Sequence, residues 1–226
     1  MIRIDLPDIE LTNSDLACTC KQSYDILEFG LNTCKRLFEL AQDTTGDDKM
    51  MLLRSALIYG CSTLDSVGKR LTRDCLKELI DLDEAAQKTF EQHIAREIKR
   101  SPDRILAKAL SRPDYRGELI KFSQESTEGV SLQSFSQISE LTAKFGIPTN
   151  EVISESSAKE AFNARQQVIH ELDIDPEQTG AQRERTEGEL EGHIKTVLEA
   201  AAKLIQNTHA KIHAIPVVEL STEGER

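Results

Sequence analysis

An all-α fold, an up-and-down helical bundle with a helical insertion between its core helices, follows from three observations on the sequence. The 226 residues are 30% charged and 4% aromatic, with no Trp, 11 Gly and 6 Pro. Strands favour aromatic and β-branched residues and need turn residues at short intervals, so this composition points away from sheets. Apolar residues recur in alternating steps of three and four, the period of a helix with one buried face. No alternating strand pattern survives beyond four or five residues.

Each element can be placed in order. From Ser14 to Ala41 the apolar positions are Cys20, Tyr24, Leu27, Leu31, Cys34, Phe38 and Ala41, and Asn13 or Ser14 can cap the helix they predict. GDD at 46–48 reads as the break after it. Leu53, Leu57, Gly60, Leu64, Val67 and Leu71 then repeat the spacing in a helix reaching about Ile80, which predicts two long antiparallel helices. The stretch 84–150 reads as an insertion of shorter helical pieces. Within it SPDR at 101–104 offers a Ser cap with Pro at the first helical position, and RPDYRG at 112–117 reads as the end of another helix. Ala161, Phe162, Ala164, Val168, Ile169 and Leu172 predict a helix over about 157–172, capped by Ser156 or Ser157. After the polar loop DIDPEQTGAQRER, Thr186 and Glu189 form a capping box that opens a long closing helix through Leu190, Ile194, Val197, Leu198, Ala201, Leu204 and Ile205. Residues 1–212 are expected to form one domain and 213–226 a flexible tail.

Charge bounds the partners. The formal charge is −11, and only residues 69–121 are basic on balance, with 13 cations against 10 carboxylates. A broad phosphate-binding surface needs more positive charge than this, so any RNA contact is expected to be local and DNA binding is not expected. No stretch approaches the roughly 18 consecutive apolar residues of a membrane span, and the start, MIRIDLPDIEL, is acidic where a secretion signal would be basic. Five cysteines, most at apolar helical positions, suit reduced thiols, and the expectation is a cytoplasmic chain. Cys18 and Cys20, two apart, diverge on a helix and make a poor metal clip. His209 and His213, four apart, could share an ion but have no third ligand of suitable spacing, and they read as solvated positions on a frayed terminal helix. No metal and no cofactor is expected. Neither a Gly-rich phosphate loop in a βαβ setting, nor G-x-S-x-G, nor His-Glu-x-x-His occurs.

Chemistry concentrates in Ala164-Arg165-Gln166-Gln167-Val168-Ile169-His170-Glu171-Leu172-Asp173. A histidine exchanges a proton near neutral pH, and a guanidinium can hold the charge that grows on a pentacoordinate phosphorus, so these residue types suit phosphodiester cleavage without a metal. Five positions on an ideal helix turn through about 500°, which leaves Arg165 and His170 roughly 140° and about 7.5 Å apart. Cleavage also needs both an acid and a base, and the motif offers one His. A two-fold dimer with these helices at its axis answers both points. Asp65 and Lys69, four apart with the acid first, have the spacing of a simple ion pair on a helix.

ARQQVIHELDID at 164–175 resembles the Arg-polar-x3-His signature of the HEPN superfamily (higher eukaryotes and prokaryotes nucleotide-binding), and LLRSALIYGCSTLDSVGKRL at 52–71 resembles a HEPN core helix. Asp65-x3-Lys69-Arg70 is similar to the acidic-x3-Lys-Arg element of several HEPN ribonucleases. The resemblance implies an all-helical bundle and a homodimer with paired Arg and His at its interface. It implies a metal-independent endoribonuclease of a toxin–antitoxin or antiphage-defence type, with RNA as substrate and an antitoxin or defence-system protein as partner. His170 would then handle the proton of the attacking 2′-hydroxyl or the leaving 5′-oxygen, and Arg165 would steady the phosphate. Gln166 would orient one of them, Asp65 would fix the Arg or His from the neighbouring helix, and Lys69 and Arg70 would contact RNA backbone. Leu172 stands where toxins paired with a nucleotidyltransferase antitoxin carry Tyr, which argues against neutralisation by Tyr adenylylation there. Some HEPN domains have lost activity, so a non-catalytic dimerisation or adaptor module, or a nucleotide-binding module, is the alternative.

Overall fold

The run of apolar residues from Leu53 to Ile80 builds the axis of the molecule. In the computed structural model, which describes residues 20–101, 105, 109, 111–174 and 182–213, this run lies in α2 (Gly46–Leu82), where Leu53, Leu57, Leu64, Val67, Leu71 and Leu79 are wholly buried. The described residues form eight helices: α1 (Lys21–Gln42), α2, α3 (Glu84–Arg100), α4 (Tyr115–Glu128), α5 (Phe135–Lys144), the single turn α6 (Thr149–Val152), α7 (Glu155–His170) and α8 (Glu187–His213). The fold is all-α. Strand pairing among the described residues amounts to an isolated antiparallel bridge between Ile174 and Gln182.

α1 and α8 both pack along α2, and the three enclose Leu27, Leu31, Leu57, Leu64, Val197 and Leu198 in one core. Each such side chain contributes about 1.5–3 kcal/mol by leaving water. At Gly30 the α1 and α2 backbones approach so closely that a Cβ would overlap the Thr63 side chain. α3 and α4 pack on α2, and α5 lies against α3. An Arg73–Glu128 fork, both bonds at 3.0 Å, ties α2 to α4. No helix among the described residues is long and apolar enough to cross a membrane.

Several boundaries differ from the sequence reading, each for a local reason. GDD is the first turn of α2 and not a break, since Asp47 and Asp48 sit where the helix dipole favours negative charge. RPDYRG opens a helix instead of ending one, because the Asp114 side chain accepts from Gly117 N at 2.8 Å and caps α4. Ser154, accepting from Ser157 N at 3.2 Å, replaces Ser156 or Ser157 as the cap of α7. The same helix stops at His170, short of Leu172, because Leu172 and Asp173 adopt positive φ values of 51° and 55°. The Thr186–Glu189 capping box forms in both directions, at 3.2 Å from Glu189 N and 2.7 Å from Thr186 N. Ser101 terminates α3. Asn13, Ser14, Cys18, Pro102 to Arg104 and residues 214–226 lie outside the described residues.

Candidate functional site

α7 owes its setting to small residues. Ala158, Ala161, Phe162 and Ala164 are buried, in contact with α2 and α8, and this leaves Gln166 and His170 exposed. Arg165, beside the buried seam, is half-buried, and its Nη1 is enclosed with no hydrogen-bond partner among the described residues. Its charge reaches Cys61 on α2. Burial pushes that thiol up to about 12, with Arg165 pulling the other way. The helix runs unbroken from Arg165 to His170, so the separation of roughly 140° and about 7.5 Å stands. One chain alone does not bring the two together.

The acidic-x3-Lys-Arg element is engaged elsewhere. Asp65 Oδ1 accepts from Leu132 N at 2.7 Å and its Oδ2 from Lys69 Nζ at 2.9 Å. Both carboxylate oxygens are therefore spent on fixing the segment before α5 and on Lys69, and no hydrogen bond joins Asp65 to Arg165 or His170 among the described residues. Arg70 donates to Asp74 at 2.6 Å. Lys69 and Arg70, the expected RNA contacts, are thus cations paired one helical turn along α2.

The sequence reading missed the group that secures the end of α7. Asp173 is 0% exposed and accepts from Arg54 Nε at 2.7 Å and from Arg185 Nε and Nη2 at 2.8–3.0 Å. Arg185 Nη2 also donates to the side chain of Gln167, so the second glutamine of the motif is the tethered one and Gln166 is free of it. Asp173 N donates to Gln167 O at 2.9 Å, and Arg183 N donates to Asp173 O at 2.7 Å. Burial pushes the Asp173 carboxyl up, but the hydrogen bonds from Arg185 and Arg54 outweigh it and hold the group below the usual carboxylate range. The signal available in sequence was the pair Arg183 and Arg185 just ahead of the capping box. Arg54, 119 residues distant from Asp173, gave none.

At the far end of α8 the His209 and His213 rings lie 4.0 Å apart between centroids. His209 is half-buried and Lys211 pairs with Asp83, so this end is packed and not frayed as expected, whereas His213 is exposed, in line with the expectation of a solvated position. Among the described residues no three His, Cys, Asp or Glu side chains form a group that could hold a metal ion. Cys20, Cys34, Cys61 and Cys75 are buried, and none of the four is in a disulfide.

No family model, no curated protein and no solved structure matches the chain.

Proposed function

We propose that the chain is a HEPN-type, metal-independent endoribonuclease that works as a two-fold homodimer built on the C-terminal part of α7. The surface around His170 carries this reading. Beyond the exposed Gln166 and His170, Leu172 is 70% exposed and Ile174 38% exposed. A branched apolar residue held in solvent at positive φ departs from two preferences at once. Such departures concentrate where a surface has work to do. The Asp173 ion group holds it in that place. An isologous contact sets the same patch of each subunit against the other, so a second α7 supplies a second Arg165 and a second His170.

In this dimer the 2′-oxygen of one ribose attacks phosphorus and the bond from phosphorus to the 5′-oxygen breaks. One His170 takes the 2′-hydroxyl proton, and His170 of the partner subunit gives a proton to the leaving 5′-oxygen. The products are a 2′,3′-cyclic phosphate and a 5′-hydroxyl. Arg165 offsets the charge that develops on phosphorus. Gln166 orients Arg165 or His170. A cytoplasmic role in growth arrest or antiphage defence fits such an activity, with a protein partner that restrains it.

Protein incubated with tRNA or mRNA in EDTA should nick it, His170→Ala and Arg165→Ala should not, and equal activity of wild type and both variants would defeat the assignment. A second reading, a non-catalytic helical interaction module, draws on the pairing of Asp65, Lys69 and Arg70 within the fold. A dimer that His170→Ala leaves intact, with no cleavage of any RNA, would favour it.

A further inference from the structure

A second concentration of polar groups lies in the insertion, where α3, α4 and α5 line a cleft of about 620 Å³. At its floor the half-buried Lys144 donates to Thr127 Oγ1 at 2.5 Å and to Ser126 Oγ at 3.4 Å. Both hydroxyls donate in turn to the Ser123 carbonyl, so they present lone pairs to the ammonium and hold it in place. Ser126 Oγ also lies 3.3 Å from His93 Nε2 on α3. With its own proton committed to Ser123, Ser126 accepts from a His93 protonated at Nε2.

The charge of Lys144 lacks a counter-ion. No carboxylate among the described residues lies within ion-pair distance of it, and burial pushes its ammonium down, with Glu140 offsetting this only in part. His93 is pushed down to about 4, by burial first and by the Lys144 charge second, so it is neutral at pH 7. Arg100 is tied to Glu97 at 3.2 Å. Arg96, exposed on α3, has no ion pair among the described residues. The lining therefore holds three fixed cations, Arg96, Arg100 and Lys144, against two carboxylates, Glu97 and Glu140, in a chain of charge −11. Val130, Leu132 and Leu141 give the cleft an apolar side.

We infer that this cleft binds a phosphate-bearing small molecule, its phosphate held between Lys144 and Arg96 and its organic part set against Val130, Leu132 and Leu141. An ammonium has three donors; Thr127 and Ser126 occupy two, and a phosphate oxygen takes the third. A guanidinium fork suits the remaining oxygens, and clefts of roughly 300–1,000 Å³ accommodate nucleotide-sized ligands.

The test is calorimetric titration of the full chain with AMP, inorganic phosphate and adenosine at pH 7. AMP or phosphate should bind and adenosine should not, and Lys144→Gln and Arg96→Gln should each weaken binding about ten-fold, the loss of one charge-assisted hydrogen bond. Tighter AMP binding would support a nucleotide-sized ester as the natural ligand, and tighter phosphate binding the free anion. Arg96 is exposed and unpaired, so Arg96→Gln keeps the fold even if Lys144→Gln lowers the melting temperature. No heat from either anion, or affinity unchanged in both variants, would overturn the inference. His170→Ala should bind as wild type does, which separates this site from the ribonuclease reading.

Discussion

Replacing Asp173 by Asn keeps the shape of the side chain and removes its charge, leaving the guanidiniums of Arg54 and Arg185 facing a neutral amide. Asp173 is wholly enclosed and takes four donor contacts at 2.7–3.0 Å from the two arginines. Removing one partner of a buried ion pair costs about 3–5 kcal/mol. Asn retains one acceptor oxygen and both arginines are slightly exposed, so about 2–4 kcal/mol is expected here. For a chain of this size that lowers the melting temperature by about 4–16 °C. Urea unfolding followed by circular dichroism at pH 7 measures it directly. The carboxyl titrates below its unfolded range, so its stabilisation is complete above about pH 4 and is lost as pH falls through the lower folded value. Asp173→Asn should therefore lack that acid-labile component. A loss under about 1 kcal/mol, or unchanged acid sensitivity, would mean that the two arginines are solvated and that the group does not anchor α7.

Three further outcomes are expected. The folded pKa of His93, about 4, lies below the ordinary 6.5, so the unfolded chain takes a proton that the folded chain refuses and stability falls as pH drops from 6.5 toward 4. That gap corresponds to about 3.4 kcal/mol in full, reduced to about 1–2 by solvent at a half-exposed ring; the difference between the urea midpoints at pH 7 and 4.5 should narrow in His93→Gln, and a difference equal to that of wild type would refute it. Leu172→Gly should stabilise the monomer by about 0.5–1 kcal/mol by relieving the left-handed backbone while shifting sedimentation toward monomer, and a less stable variant would contradict the backbone argument. Gly30→Ala should cost about 1–3 kcal/mol by forcing α1 away from Thr63, and a melting temperature equal to wild type would show that α1 can slide.

Helix periodicity carried the cores of α1, α2 and α8 because burying one stripe leaves a repeat that any packed helix must show. The Thr186–Glu189 box was legible for a different reason: its partners sit three residues apart and satisfy each other locally. Boundaries set by a side chain's choice between alternatives were less so. Asp114 could end one helix or cap the next, and only its bond to Gly117 decides. At the candidate site, residue types were visible but orientation was not. Arg165 faces the α2 seam because its neighbours Ala161, Phe162 and Ala164 turn that side of α7 inward, and Asp65 is claimed by Leu132, a partner 67 residues away. The cleft of the insertion was invisible except as a mild excess of basic residues, since His93, Ser126 and Lys144 meet through tertiary packing.

The grip on Asp173 also bears on what the chain can tolerate in evolution or in the laboratory. Ile174 and Gln182 are bridged to each other, and Arg183 N returns to Asp173 O, so the polypeptide leaves and re-enters the framework at two points fixed by bonds of their own. A substitution at Arg54 or Arg185 would loosen both points at once, since the same enclosed carboxylate holds the two guanidiniums.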